Sequence, residues 1–376
     1  MTLVALAEGI FAAWLAAAIV YQIAAQTALR GFLSRARRTG ARAGSHPSAT
    51  ILVPLGGGSD RIPRMRENLE RLCAAGAPVV AGVDEDGAAE IARTLVGNRA
   101  LTLVAGAPAE GSNRKIATLI RMLPEARGEI LVFIDGDIGV PGGYLETLLA
   151  PFADPEVGMV TCPYRSVGGA TIASRVDAVI TNTVFLPSVT LAEKLEGVRF
   201  ALGATMAIRR GVLDAIGGLE PLLERLADDW SLADRARQAG HRIVLAPLLL
   251  DHHVGEPGWP GLWLRHLRWA RTMRSVRPAG YAGTFVAQGW APALALAALG
   301  GWRVAVAVMA AWAAVRGGTV LLNARRTGCG ALDLLLLPAA DALSAALYVG
   351  GLCGRTVRWG GSRLRVGPGG AILARY

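Results

Sequence analysis

Residues 9–29 carry no charged side chain. Wound as a helix, that stretch is long enough to cross a hydrocarbon core of roughly 30 Å, and nothing else in the sequence constrains the fold so strongly. A cleaved leader places its positive charges before the apolar run, whereas here they follow it, as Arg30, Arg35, Arg37, Arg38 and Arg42. The positive-inside bias therefore puts the N-terminus outside and the following residues in the cytoplasm. Composition supports a soluble part joined to a membrane part. Hydrophobic residues make up 52% of the 376 and charged residues only 18%, too apolar for a freely soluble enzyme, too polar for spans alone and incompatible with disorder. The formal net charge of +10 suits nucleic acid, an anionic lipid surface or a phosphate-bearing substrate equally. Nearly all of it is arginine, since lysine occurs only at Lys115 and Lys194. The cysteines have no CxxC or metal-like spacing, so neither a disulfide framework nor a zinc site is implied.

Two more apolar stretches lie near the C-terminus. Residues 278–302 are uncharged and residues 304–323 carry only Arg316, with Gly300, Gly301 and Arg303 between them. This pattern predicts a helical hairpin that returns the chain to the cytoplasm at Arg325 and Arg326. Residues 334–353 hold Pro338 and Asp341 and precede Arg355, Arg358, Arg363 and Arg365. They read as a re-entrant or interfacial segment with a cytoplasmic tail, giving three crossings in all.

Between residues 45 and 246, short β-branched runs alternate with longer helix-like stretches. The runs are 49–55, 78–83, 101–104, 130–134, 158–162 and 242–245, each bounded by Gly, Pro or acidic residues. Such alternation predicts an α/β fold with a mainly parallel sheet and helices on both faces. Ligands of such sheets bind beyond the carboxyl ends of the strands, so the residues after each run are the first candidates. The run 130–134 ends in Asp135-Gly136-Asp137, a D-x-D whose oxygen ligands suit Mg²⁺ or Mn²⁺, although Asp and Gly are also ordinary turn residues. Asp84, Glu85 and Asp86 follow another run. Gly111-Ser112-Asn113-Arg114-Lys115 opens a helix that is either plainly capped or, through its N-terminus and Lys115, an anion site. Asp228 and Asp229 open an amphipathic helix, where paired acids either simply favour the macrodipole or, one carboxylate held beside another, raise a pKa and supply a general base. Arg265, Arg268 and Trp269 lie in a helix-like stretch with further arginines and tryptophans, which also fits an interfacial helix with lipid-headgroup contacts. Asp251-His252-His253 is a weak metal signal, because adjacent histidines point apart in regular structure.

Taken in order, acids after a strand, a lysine loop, a D-x-D, an Asp-Asp at a helix start and R-x-x-R-W beside membrane helices resemble the inverting glycosyltransferases of the GT-A fold with a D, D, D, (Q/R)xxRW signature. The likeness is specifically to the ceramide glucosyltransferase family, family 21, and covers nearly the whole chain. Leu226 to Asp229, Gly255-Glu256-Pro257 and Arg268-Trp269-Ala270-Arg271-Thr272 are most similar to bacterial hopanoid-biosynthesis glycosyltransferases. The resemblance implies an N-terminal transmembrane helix over residues 1–30, a cytoplasmic GT-A catalytic domain over 31–255, an interfacial helix over 256–278, and a membrane hairpin, apolar segment and basic tail over 279–376.

It further implies that the acidic cluster meets uridine, with Asp84 and Asp86 as candidates and several alignments open. Asp135 would bind metal and diphosphate with Asp137 beside it, Asp229 would be the base, Lys115 would contact the donor, and Arg265, Arg268 and Trp269 would close over the diphosphate. At the first strand, Pro54-Leu55-Gly56-Gly57 lacks a basic residue that the family carries there. The implied partners are a UDP-sugar, a divalent cation (Mg²⁺ or Mn²⁺), a hopanoid or ceramide acceptor and the bacterial inner membrane, with no nucleic acid. The implied product is a β-glycoside. N-acetylglucosamine on a hopanoid is favoured over glucose or glucuronic acid on ceramide. A processive polysaccharide synthase shares the acids but usually begins its last motif with Gln and needs more spans.

Overall fold

In a computed structural model the described residues are 3–38, 47–55, 62–83, 100–106 and 110–376. Along the chain run α1 (Leu3–Arg38), β1 (Ala49–Pro54), α2 (Ile62–Cys73), β2 (Val79–Val83), β3 (Leu101–Ala105), α3 (Arg114–Met122), β4 (Ile130–Ile134), β5 (Ile138–Gly139) and α4 (Tyr144–Leu149). Then come β6 (Val157–Thr161), β7 (Tyr164–Val167), α5 (Ile172–Ile180), α6 (Leu186–Glu196), β8 (Thr205–Arg209), α7 (Arg210–Ala215), α8 (Asp228–Gln238), β9 (Arg242–Leu245) and β10 (Leu250–His253). The C-terminal part adds α9 (Trp259–Val276), α10 (Pro278–Gly283), α11 (Trp290–Leu299), α12 (Gly301–Leu321), α13 (Ala324–Thr327), α14 (Ala331–Leu335), α15 (Leu337–Leu352), β11 (Thr356–Trp359), β12 (Ser362–Val366) and β13 (Ile372–Arg375).

The chain divides into two compact units. One comprises residues 35–165, 196–255 and 356–376; the other comprises 1–34, 166–195 and 256–355. The first unit holds a seven-stranded sheet in the order β3-β2-β1-β4-β8-β6-β9. All pairs are parallel except those of β8, which runs antiparallel to both β4 and β6. All six runs anticipated from sequence are strands of this sheet.

Its two faces follow the period-two alternation of the central strands. Ile51, Val53, Val79, Ile130 and Val132 pack with Leu69 and Leu72 of α2 and Leu145 and Leu148 of α4. Leu52, Val80, Leu131 and Phe133 point the other way, onto Ile116, Leu119 and Met122 of α3, Val212 of α7 and Leu232 and Ala236 of α8. Strands covered on both faces read as unbroken apolar runs, which is why Ile-Leu-Val-Phe-Ile of β4 is wholly buried. The tail that reads as a basic extension instead folds into a three-stranded antiparallel sheet in this unit. Gly360 and Gly361 form its two-residue turn, both with positive φ, as a hairpin of matching twist requires.

The second unit is helical. Both α1 and α12 are long and apolar enough to cross a membrane, and residues Pro278–Ala287 with Trp290–Leu299 would make a third span if the pair, bent by 47°, acts as one. The first arm of the expected hairpin, over 278–302, is therefore bent. The break falls at Gln288 and Gly289, where the ring of Trp312 packs so close to Gly289 that a side chain there has no room. Arg316, the lone charge of α12, is 3% exposed and forks onto Asp341 of α15 at 2.8 Å, while also donating to the hydroxyl and carbonyl of Thr183. Trp290 Nε1 donates to the same carboxylate at 2.6 Å. A charge buried in a helix this apolar persists only when paired in this way. Asp341, a poor fit to an apolar segment in sequence, is the partner Arg316 requires.

Candidate active site

The site of the first unit forms at the carboxyl end of β4. Asp135 leaves the strand with its N–H donating to Ala204 O at 3.2 Å, and Ile138 N–H donates back to Asp135 O at 3.2 Å, closing the turn around Gly136. Lys115 lies in the first turn of α3. Asn113 caps that helix by accepting Ile116 N–H on its side chain at 3.1 Å. From there the Lys115 ammonium reaches Asp135 Oδ1 at 2.6 Å, Gly203 O at 3.1 Å and, at 3.8 Å, Asp228 Oδ2.

Asp229, in the first turn of α8, accepts Gly203 N–H on Oδ2 at 3.0 Å and Trp230 N–H on Oδ1 at 2.7 Å. Gly203 thus touches both ends of the cluster through its backbone. A Cβ at that position would lie 3.3 Å from Asp229 Oδ2, a tight approach, and 3.7 Å from Lys115 Nζ, an ordinary contact, so a side chain there would crowd the carboxylate.

Sequence reading placed Lys115, Asp135 and Asp229 at a site, and the structure brings the three together. It adds Asp228, 7% exposed, whose Oδ2 is buried without a hydrogen-bond partner. Burial holds the Asp229 carboxyl up at about 6, and the Asp228 charge adds to this against the opposing pull of its two N–H donors and Lys115. Burial likewise raises Asp135 to about 6, with Lys115 opposing and Asp137 reinforcing the shift. On Lys115, burial disfavours the charge, but Asp135 and Asp228 outweigh it and push its pKa up, so the amine is a fixed cation.

Asp137 faces a different neighbour. β10 pairs with β5 so that His252 lies opposite Ile138, which sets His252 Nε2 at 3.8 Å from Asp137 Oδ2. His252 is 9% exposed and packs edge-on against Tyr164. Asp251 points elsewhere, accepting Arg165 Nε at 2.6 Å.

The turn that feeds Asp228 is held from two sides. Asn113 N–H donates to Leu223 O at 2.8 Å and its side chain to Arg225 O at 2.8 Å. From the C-terminal sheet, Leu226 N–H reaches Gly370 O at 2.8 Å and Ile372 N–H reaches Glu224 O at 2.9 Å.

Arg265, Arg268 and Trp269 belong to the second unit, on α9. Arg265 Nη2 lies 3.1 Å from Asp177 Oδ2, and His266 Nε2 lies 3.2 Å from the other oxygen of that wholly buried carboxylate. His266 meets Trp269 edge-on at 4.9 Å, and Arg268 lies 5.9 Å from the Trp269 ring centre. Asp177 escaped the sequence reading, although a lone acid in the apolar run of α5 is the kind of signal that marks a needed counter-charge. Asp84, Glu85 and Asp86 lie outside the described residues.

A family model described as glycosyl transferase family 21 matches residues 10–372. Among solved structures, the chain is similar to a mannosyltransferase from Pyrobaculum calidifontis in complex with GDP-Man and Mn²⁺, at 22% identity and a TM-score of 0.49, covering 90% of this chain and 99% of that one. It is also similar to glucosyl-3-phosphoglycerate synthase from Mycobacterium tuberculosis in complex with Mn²⁺, uridine diphosphate and phosphoglyceric acid, at 16% identity and a TM-score of 0.36, covering 70% and 81% of the two chains.

Proposed function

The chain belongs to glycosyl transferase family 21 and is thus a sugar-transferring enzyme, and we propose that it moves N-acetylglucosamine from a UDP-sugar to a hydroxyl of a hopanoid lipid by one inverting displacement. The product is a β-glycoside, made at the cytoplasmic face of a bacterial inner membrane. The observation that supports the inverting displacement is the Asp229 carboxylate, oriented by two backbone N–H donors and held near a pKa of 6; the choice of sugar and lipid rests on the sequence resemblance alone. At neutral pH it is ionised yet basic enough to accept a proton, as a general base requires. Asp229 takes the proton of the lipid hydroxyl as the oxygen attacks the anomeric carbon and the nucleoside diphosphate departs. Lys115 supplies fixed positive charge beside Asp135, where charge on the departing phosphates needs compensation.

The donor set at Asp135 and Asp137 fits a hard divalent ion, Mg²⁺ or Mn²⁺, and the His252 imidazole beside Asp137 adds a nitrogen. Among the described residues no three His, Cys, Asp or Glu side chains enclose an ion by themselves. That suits a cation completed by water and substrate phosphate. When bound, the ion would neutralise the diphosphate as a Lewis acid. Asp84 and Asp86 as uridine contacts, and Arg265, Arg268 and Trp269 as diphosphate contacts, rest on the family signature.

The likeness to ceramide glucosyltransferases favours a second acceptor, ceramide, receiving glucose or glucuronic acid. One experiment tests both readings: mass spectrometry of lipids from cells expressing the wild type or Asp229→Asn, with UDP release measured on the purified proteins. A new N-acetylhexosaminyl hopanoid with the wild type alone is expected, and a hexosyl ceramide would select the second acceptor. Undiminished UDP release by Asp229→Asn would remove the base assignment.

A further inference from the structure

The C-terminal sheet has two faces of opposite character. On the inner face Val357, Leu364, Val366 and Ile372 are buried with Leu226. Strand alternation puts Arg358, Arg363 and Arg365 on the outer face, all exposed. Arg358 stands directly across the ladder from Arg363, an arrangement of like charges that destabilises a strand pair. No acidic residue occurs in 356–376, and none of the three guanidinium groups has an ion-pair partner among the described residues. The fold thus assembles three fixed positive charges on one sheet face, and nothing among the described residues offsets them.

Chain continuity indicates what does. Only Cys353, Gly354 and Arg355 separate β11 from α15, an apolar helix. Three residues reach at most about 14 Å, so the arginine face is tethered close to the end of that helix. Phosphodiester groups in a bilayer form an extended negative surface that arginine forks pair with bidentately. A single nucleotide would instead need a concave site, which a sheet face does not offer.

We propose that the outer face of the C-terminal sheet docks on anionic phospholipid headgroups of the bilayer that holds the apolar helices. The docking stands independently of the proposed reaction. Its consequence for the enzyme rests on that reading: the Gly370–Ile372 backbone at the edge of the same sheet is hydrogen-bonded to Glu224 and Leu226, which lead into Asp228 and Asp229, so the lipid surface steadies the catalytic acids.

The test uses the full chain in nanodiscs of phosphatidylcholine alone or mixed equally with phosphatidylglycerol, with hydrogen–deuterium exchange read over residues 356–366. Exchange in the mixed discs is expected to slow by about fivefold or more, the worth of one arginine at an anionic surface. High salt, or the triple change Arg358→Gln, Arg363→Gln and Arg365→Gln, abolishes the difference. The triple variant keeps every apolar residue of the inner face; a melting temperature no lower than that of the wild type shows that it folds. Equal exchange of the wild type in the two discs would overturn the proposal. So would a lipid dependence that the triple variant retains, or a triple variant whose only defect is a raised KM for the UDP-sugar.

Discussion

Asp229→Asn should make the protein inactive and slightly more stable at once. The wild-type carboxyl is lifted from 3.8 to about 6 in the fold, so keeping it ionised at pH 7.5 costs folding on the order of 3 kcal/mol. Because Asp229 retains some solvent exposure, screening trims this to about 2 kcal/mol. Asparagine removes the charge, but its single carbonyl oxygen can accept only one of the two N–H groups now held by Oδ1 and Oδ2. Losing one hydrogen bond returns about 1 kcal/mol, leaving a net gain of about 1 kcal/mol. The sign depends on pH. A raised carboxyl pKa means the fold loses stability as pH climbs from 3.8 through 6, so the advantage of asparagine appears above pH 6 and vanishes below about 4. UDP release should fall by about 10²–10⁴ from loss of the base. Thermal unfolding of purified wild type and variant at pH 4 and 7.5, beside turnover, checks both halves. A variant that melts lower at pH 7.5, or turns over normally, would refute the reasoning.

Lys115→Met removes the cation between Asp135 and Asp228; turnover should drop by about 10²–10³, and the acid limb of the pH–rate profile should move to higher pH, since Lys115 opposes the rise of both Asp135 and Asp229. Asp177→Asn takes away the counter-charge of Arg265 and should lower kcat about tenfold with a folded protein, and Asp177→Glu should restore part of it in the same UDP-release assay. Asp341→Leu leaves Arg316 buried and unpaired, at a cost of about 3–5 kcal/mol visible in thermal unfolding, most of which Arg316→Met in the same chain should recover.

What the sequence reveals depends on whether a signal is local. The six strands anticipated from β-branched runs are all present: β1, β2, β4 and β6 are almost wholly buried and write that into consecutive apolar residues, while β3 and β9, at the sheet's edges, are only partly buried yet keep a short run of the same character. β8 has no such signature. Thr-Met-Ala-Ile-Arg becomes a central strand only through pairing with β4 and β6, far away in the chain. Likewise the Asp-Asp pair and the D-x-D could be seen, yet the burial of Asp228 and the approach of His252 to Asp137 depend on sheet register. The C-terminal sheet was legible in part. Alternating apolar and basic residues on either side of Gly360-Gly361 form a hairpin pattern, but the density of arginine there masks the period.

The most direct test of the central claim, a lone carboxylate base acting in one displacement, is the anomeric configuration of the glycolipid made by the purified enzyme from an α-linked UDP-sugar, read by proton NMR. A β-linked product is the predicted result. An α-linked product would contradict the account, because one displacement at Asp229 cannot retain configuration.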